Sequence, residues 1–501
     1  MRRVEKMVKG IVKKMDESLK GKKEFLKPLF RILGMMYNGK RLVEKRRVKE
    51  MEKTCKKPWE YGPLAAAKGK PYLVTGDKPF FWLGDTAWLL FHNLKKEEVE
   101  VYLRNRAEKG YNVIQATLFH FVPCENAYGA RGFLEEDVTR PNLEGEFTYW
   151  DMVDYVVKTA EKYGLYMAML PHWGGIVKSG WTDPEKVKVY AAFLAERYKD
   201  APNVIWITGG DTRGNEAFEY WNNMGSTLKK LNPDKLVCFH PFGRTTSIDY
   251  FPNADWLDMH MFQSGHRRYD QIKLKAWDDN DQDDYSFGED NWKYVERVHR
   301  MTAQRPEGPM PVLDAEPSYE NIPQGLHGGA EPMWRDRDVR RYAYWSVLAG
   351  ACGFTYGHNA IMQMWHTRNK AGNYDCWEKW SEAIHHPGSD SMKHLTELMN
   401  SVDFINGHPA QELLADEPGE KYERISVFAG PDYLLAYSYT GRKIQLKENA
   451  LDGEAEVYWM NPLTGVMSYA GVTDFAEERV FVTPSKEYMP NRDWVLVLRR
   501  K

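Results

Sequence analysis

Residues 203–211 read NVIWITGGD. Val204, Ile205, Trp206 and Ile207 form a short apolar run rich in β-branched and aromatic side chains, the pattern of a strand. Gly209 and Gly210 then let the backbone turn sharply, which delivers Asp211 at the strand end. A helix-like segment, 215–230, follows. Working outward from this unit, the same alternation recurs. Strand-like runs are FWLGD (81–85), NVIQATL (112–118), LYMAML (165–170), KLVCFH (235–240), WLDMH (256–260), PVLDAE (311–316) and CGFTYG (352–357). Helix-like segments at 95–110, 148–163, 184–199, 291–304, 335–350 and 390–403 fall between most of them. Eight strands alternating with helices predict a closed (β/α)₈ barrel in preference to a doubly wound sheet. No Gly-rich phosphate fingerprint follows the first strand, which counts against a dinucleotide-binding domain.

The barrel is expected over 58–406. Before its first strand, YLVTGDKPFF carries two apolar runs around Gly76-Asp77, a hairpin signal. The polar stretch 263–290 reads as a loop over the barrel mouth and not as a core element. After Asn406-Gly407 the helical pattern stops. Short alternating runs such as YLLAYSYT, EAEVYWMNP and DWVLVLRR predict an antiparallel β-sandwich over 407–501. Residues 1–57 carry 20 Lys+Arg against 7 Asp+Glu, while the rest carries 49 against 64. Val4, Met7, Ile11, Met15 and Leu19 follow helical spacing, so 1–57 is predicted to be a basic helical extension. Such a helix suits packing against the enzyme or a partner subunit, hence homo-oligomer formation, more than a polyanion or membrane surface.

In a parallel barrel, reactive groups sit where the strands end and the βα loops converge. Those ends carry Asp85, His120, His172-Trp173, Asp211, His240, His260, Glu316 and His358-Asn359. Cleaving a glycosidic bond needs one carboxyl that stays protonated and a second that is ionised. Asp211 and Glu316, at the ends of the fourth and seventh strands, supply such a pair. Either alone could be a helix cap or an ion-pair partner; both together at one mouth suit catalysis better. Asp85, His120, His172, His240, His260 and His358 read as hydroxyl-binding groups. Trp88, Trp173 and Tyr319, with Tyr356 and Trp365 nearby, offer platforms for a sugar face. The ring of histidines also admits a metal reading, but the first strand lacks an HxH pair, so neither metal nor cofactor is expected. No GxSxG elbow occurs, which argues against a serine hydrolase.

Composition agrees. The chain is 43% hydrophobic, 28% charged and 14% aromatic with a net charge of −2, globular and aromatic-rich, which suits sugar stacking and not nucleic-acid binding. Its five cysteines are scattered without metal-ligand or paired spacing. No export signal or membrane span is evident, so a cytoplasmic enzyme with reduced thiols is expected.

FWLGDTAW (81–88), YNVIQ (111–115), WITGGD (206–211), AEPSYE (315–320) and YGHNAI (356–361), in this order, resemble the apiosidase-like family. These are glycoside hydrolase family 140 and its relatives, a barrel followed by a sandwich once called collagen-binding. The resemblance spans about residues 60–500. It implies a retaining glycosidase that releases apiose from a glycoside or a pectin-derived oligosaccharide, with Asp211 as acid/base and Glu316 as nucleophile. A glycosidase for another pentose or deoxysugar, or a non-catalytic carbohydrate-binding protein, would share the fold.

Overall fold

The computed structural model describes residues 56–271, 287–326, 331–369, 372–485 and 492–501. The helical reading of 1–57 falls almost wholly outside them, as does the middle of the polar stretch 263–290. Residues 61–501 form one compact unit.

Eight parallel strands close into a barrel in chain order: β1 (Trp82–Thr86), β2 (Val113–Thr117), β3 (Tyr166–Leu170), β4 (Val204–Thr212), β5 (Val237–Pro241), β6 (Met259–Phe262), β7 (Val312–Asp314) and β8 (Gly353–Tyr356). β8 returns beside β1, with Tyr356 opposite Asp85. Strands such as β2 and β3 are buried at every position. One face meets the barrel interior and the other the helix layer, which is why their sequences are apolar without alternation.

The helix layer is α1 (Lys96–Glu108), α2 (Tyr149–Lys162), α3 (Lys186–Arg197), α4 (Phe218–Leu231), α5 (Trp292–Thr302), α6 (Asp336–Leu348) and α7 (Pro387–Asn400). Local chemistry sets the ends. Thr148 Oγ1 accepts the Asp151 N–H while the Asp151 carboxylate accepts the Thr148 N–H, a capping box that starts α2. α7 starts on Pro387, whose missing N–H would have lacked a partner there anyway. Met152, Val153, Val156, Val157 and Ala160 form the buried face of α2. Between β5 and β6 the described chain makes only a 3₁₀ turn, Ser247–Asp249.

The hairpin lies where the sequence puts it. Leu73–Thr75 pairs with Lys78–Phe80 across Gly76-Asp77, and Leu64–Ala66 adds a third strand. β6 differs: it runs Met259–Phe262 and not 256–260. The residues after it are also not surface loop. Gln263, Ser264, His266, Arg267 and Gln271 are all buried, because this segment packs across the barrel mouth against the chain that follows β7.

The C-terminal domain is antiparallel. β9 (His408–Pro409), β10 (Ile425–Gly430), β11 (Tyr433–Ser438), β13 (Ala455–Met460), β14 (Met467–Thr473) and β16 (Trp494–Arg500) form one sheet in the order β9-β10-β11-β16-β13-β14. β12 (Ile444–Leu446) and β15 (Arg479–Phe481) form a second, two-stranded sheet. Val427, Leu434, Ala436, Ile444, Leu446, Leu496 and Leu498 share the core between them. This sandwich packs on α6, where Tyr344 stacks on Tyr437 at 4.6 Å and Arg340 Nε lies 3.0 Å from Asp493 Oδ2. Covered by barrel on one side and sandwich on the other, α6 is buried from Asp338 to Leu348.

Candidate active site

Asp211 reaches the barrel mouth on a bulge of β4. The β4–β5 ladder pairs Gly209 with His240 and then jumps to Thr212 opposite Pro241, so Gly210 and Asp211 are looped out. Gly209 and Gly210 adopt φ of 95° and 97°, a region that favours glycine. Both also need the space: a Cβ on Gly210 would lie 2.6 Å from the Trp173 ring, and one on Gly209 would lie 2.3 Å from the His240 carbonyl oxygen. Asp211 itself has φ of 44°, strained for a residue with a side chain.

Glu316 stands two residues beyond β7 and is buried. His240 Nε2 lies 3.2 Å from Glu316 Oε2, and His266 Nε2 lies 3.0 Å from Oε1. Ligand-type atoms of Asp211, His240 and Glu316 all lie within 4.8 Å of one another. The two carboxylates therefore face each other across a gap with room for one reacting centre.

Their environments separate their acidities. Burial, and next the negative charge of Glu316, raise Asp211 from 3.8 to about 7, against smaller pulls from His240, Gln263 and Lys178. Oδ1 of Asp211 is buried without a hydrogen-bond partner, which accords with that direction. Burial would raise Glu316 as well, but hydrogen bonds and charge from His240 and His266 outweigh it and hold the carboxyl at about 2. Between these limits the site holds one proton-bearing and one ionised carboxyl.

Aromatic side chains wall the gap. The Trp88 ring lies 5.1 Å from Trp173 and meets His240 edge-on at 5.4 Å. Trp88 Nε1 donates to Tyr319 Oη at 3.2 Å, and Tyr319 in turn faces Glu316. His120 lies 4.6 Å from Trp173. Burial pushes its imidazole down to about 4, despite the opposing charge of Glu316.

Of the residues that the sequence singles out, Asp211, Glu316, His240, His120, Trp88, Trp173 and Tyr319 thus come together. Four others stand elsewhere. Asp85 is fully buried and faces α1, with Arg106 Nε at 2.6 Å and the Tyr102 hydroxyl at 2.5 Å. His172 is bonded to the Tyr220 hydroxyl and stacked on Tyr190, in the layer of α3 and α4. His260 Nδ1 is 2.9 Å from Ser247 Oγ, below the turn between β5 and β6. His358 caps the short helix Asn359–Met362 through its Nδ1, and its Nε2 is 3.3 Å from His386 Nδ1. Neighbouring side chains at a strand end point to opposite faces, so one of each pair belongs to the helix layer; Trp173 faces the mouth and His172 does not.

Sequence reasoning passed over His266 and Gln263. Both follow β6 directly, and placing that strand at MHMF would have made QSGH its end. Behind them, Ser264 Oγ donates to Asp314 Oδ2 at 2.6 Å, and Asn291 Nδ2 lies 3.3 Å from the same oxygen, so a buried network seats the segment.

Among the described residues a second group, His358, Glu378 and His386, also brings three ligand-type atoms within 4.8 Å. There His358 Nδ1 accepts the Ala360 N–H, so a neutral ring carries its proton on Nε2. That nitrogen lies 3.3 Å from His386 Nδ1, and His386 Nε2 lies 2.7 Å from Glu378 Oε1, while Glu320 Oε1 stands 3.7 Å from His386 Nδ1.

Comparison with known proteins accords with this geometry. The family model "Apiosidase-like, catalytic domain" matches residues 67–406, and "Putative collagen-binding domain of a collagenase" matches residues 408–499. A solved structure named glycoside hydrolase is 40% identical with a TM-score of 0.83, covering 89% of this chain and 99% of that one. A glycoside hydrolase family 5 structure from Bacteroides vulgatus is 37% identical, also with a TM-score of 0.83, over 88% of this chain and 95% of that one. Among curated proteins nothing matches. With two thirds of its length matched by the catalytic-domain model and its barrel mouth holding a facing carboxyl pair, the chain belongs to the apiosidase-like glycoside hydrolases.

Proposed function

We propose that the protein cleaves a glycoside with retention at the anomeric carbon, releasing apiose from a glycoside or pectin-derived oligosaccharide. Family membership supports the sugar. The observation that carries the mechanism is the facing of Asp211 and Glu316 within 4.8 Å with opposite acidities. Retaining glycosidases hold their carboxyls about 5–5.5 Å apart, whereas inverting ones need about 6.5–9.5 Å to admit water. In the first step the ionised Glu316 attacks the anomeric carbon. Asp211 gives its proton to the departing oxygen, so the glycosidic bond breaks as the glycosyl–Glu316 ester forms. In the second step the Asp211 carboxylate takes a proton from water, whose oxygen attacks the same carbon and frees Glu316.

His240 and His266 keep Glu316 ionised, and Tyr319 keeps its orientation. Trp88, Trp173 and His120 form the wall against which the sugar lies. Asp85, His172, His260 and His358 support the strand ends from behind, and the substrate does not touch them. NMR of the first-formed product from an apiose glycoside tests the proposal. The anomer of the substrate is expected; the opposite anomer overturns retention, and no hydrolysis of apiosides by the parent overturns the sugar assignment.

A further inference from the structure

The aromatic wall does not stop at the carboxylates. Trp173 lies 5.9 Å from His240, His120 lies 4.6 Å from Trp173, and Phe121 lies 6.3 Å from His120. Exposure grows outward along this series. His240 is fully buried, Trp173 and His120 are half-buried, and Phe121 is 49% exposed. A single exposed apolar ring is ordinary on a protein surface; Phe121 stands apart because it continues, ring to ring, the aromatic wall that begins at His240 beside Glu316.

Phe121 is also held in one plane. Its ring stacks on His92, with centroids 5.5 Å apart and planes 27° from parallel. His92 is buried and itself fixed: Nδ1 lies 2.6 Å from Cys124 Sγ and 3.2 Å from the Tyr149 hydroxyl, and Nε2 accepts the His120 N–H at 3.4 Å. Burial lowers the His92 imidazole to about 3 and pushes the Cys124 thiol up to about 12, so this pair is neutral and serves as a prop, without nucleophilic character. A ring backed on one face by a pinned imidazole presents its other face already oriented, which limits the ordering lost when a flat apolar surface docks.

Resting on the glycosidase reading above, we infer that Phe121 is the platform of a second sugar subsite: it stacks against the C–H face of the sugar residue next to the one held at Asp211 and Glu316. The substrate class is therefore an oligosaccharide or branched glycoside, and a simple apioside fills only part of the cleft.

The test compares two substrates, 4-nitrophenyl apioside and an apiose-bearing pectic oligosaccharide, in the parent, Phe121→Ala and Phe121→Trp proteins. The readout is the ratio of kcat/KM for the oligosaccharide to that for the aryl glycoside. Phe121→Ala is expected to lower this ratio about three- to tenfold, the range of one aromatic stacking contact, and Phe121→Trp to restore it. A ratio equal to the parent's in Phe121→Ala overturns the subsite. Matching thermal midpoints show that the fold is intact. If the parent cleaves neither substrate, the glycosidase reading fails by itself. The platform is then judged by calorimetric titration of the oligosaccharide: a three- to tenfold weaker Kd in Phe121→Ala supports it, and an unchanged Kd overturns it.

Discussion

Replacing Asp211 by Asn is expected to make the protein more stable and nearly inactive, with a stability gain that depends on pH. The folded chain raises the Asp211 carboxyl from 3.8 to about 7, chiefly by burial and secondly through Glu316. Below about pH 4 folded and unfolded chains both carry the proton, so Asp211 favours neither. Between about pH 4 and pH 7 the unfolded chain ionises while the folded chain keeps its proton, and stability is lost steadily as pH rises. Above pH 7 the loss is complete. At about 1.4 kcal/mol per pH decade the interval amounts to about 4 kcal/mol, and solvent screening at this half-buried side chain brings the expectation to about 2–4 kcal/mol. Asn is neutral at every pH and escapes that loss. The difference in thermal midpoint between Asp211→Asn and the parent should therefore open between about pH 4 and pH 7 and then stay constant. A difference that is the same at every pH, or a parent that gains on the variant as pH rises, would refute this account of the proton.

Glu316→Gln should lower kcat by several powers of ten with the fold unchanged, while Asp211→Ala should keep most of kcat/KM, which reports formation of the glycosyl–Glu316 ester, only on aryl glycosides whose leaving group needs no proton. Equal losses on activated and ordinary substrates would disconnect Asp211 from leaving-group protonation. The pH profile of kcat/KM should be bounded by Glu316 near 2 and Asp211 near 7, falling on the alkaline side as Asp211 loses its proton. His266→Ala removes a hydrogen bond that holds the Glu316 carboxyl down, so the acid limb should move to higher pH; an unmoved limb would show that His266 has no such part. Asp314→Ala strands the Ser264, Asn291 and Ser346 donors and should cost about 1–3 kcal/mol by denaturant unfolding. Turnover should be indifferent to a chelator. A loss that added divalent cation restores would reassign Asp211, His240 and Glu316 as metal ligands.

Much of the fold was legible because a parallel barrel writes itself locally. Each strand is a short apolar run, helices such as α2 carry a capping box and an exposed polar face, and Asp211 and Glu316 stand at or just beyond their strand ends. Asp211 could be found because Gly209 and Gly210 announce a backbone that only glycine adopts readily, and Glu316 because β7 ends just before it. β6 was read three residues early, since Trp256 and Leu257 are as apolar as the strand itself and pack against the helix layer. That shift hid Gln263 and His266, which looked like the start of a polar loop.

Local pattern thus determined the order of strands and helices, the change to a sandwich after Gly407, and the two carboxylates at the mouth, because each depends on residues a few positions apart. Only the tertiary structure decided which strand-end histidines turn inward, because that depends on how each helix packs over its strand. It also decided that His240 from β5 and His266 from the segment after β6 converge on Glu316, while Asp211 stays half-buried with its Oδ1 short of a hydrogen bond. The difference in acidity between two chemically similar carboxyls comes from groups far away in the chain, brought within a few ångströms only when the barrel closes.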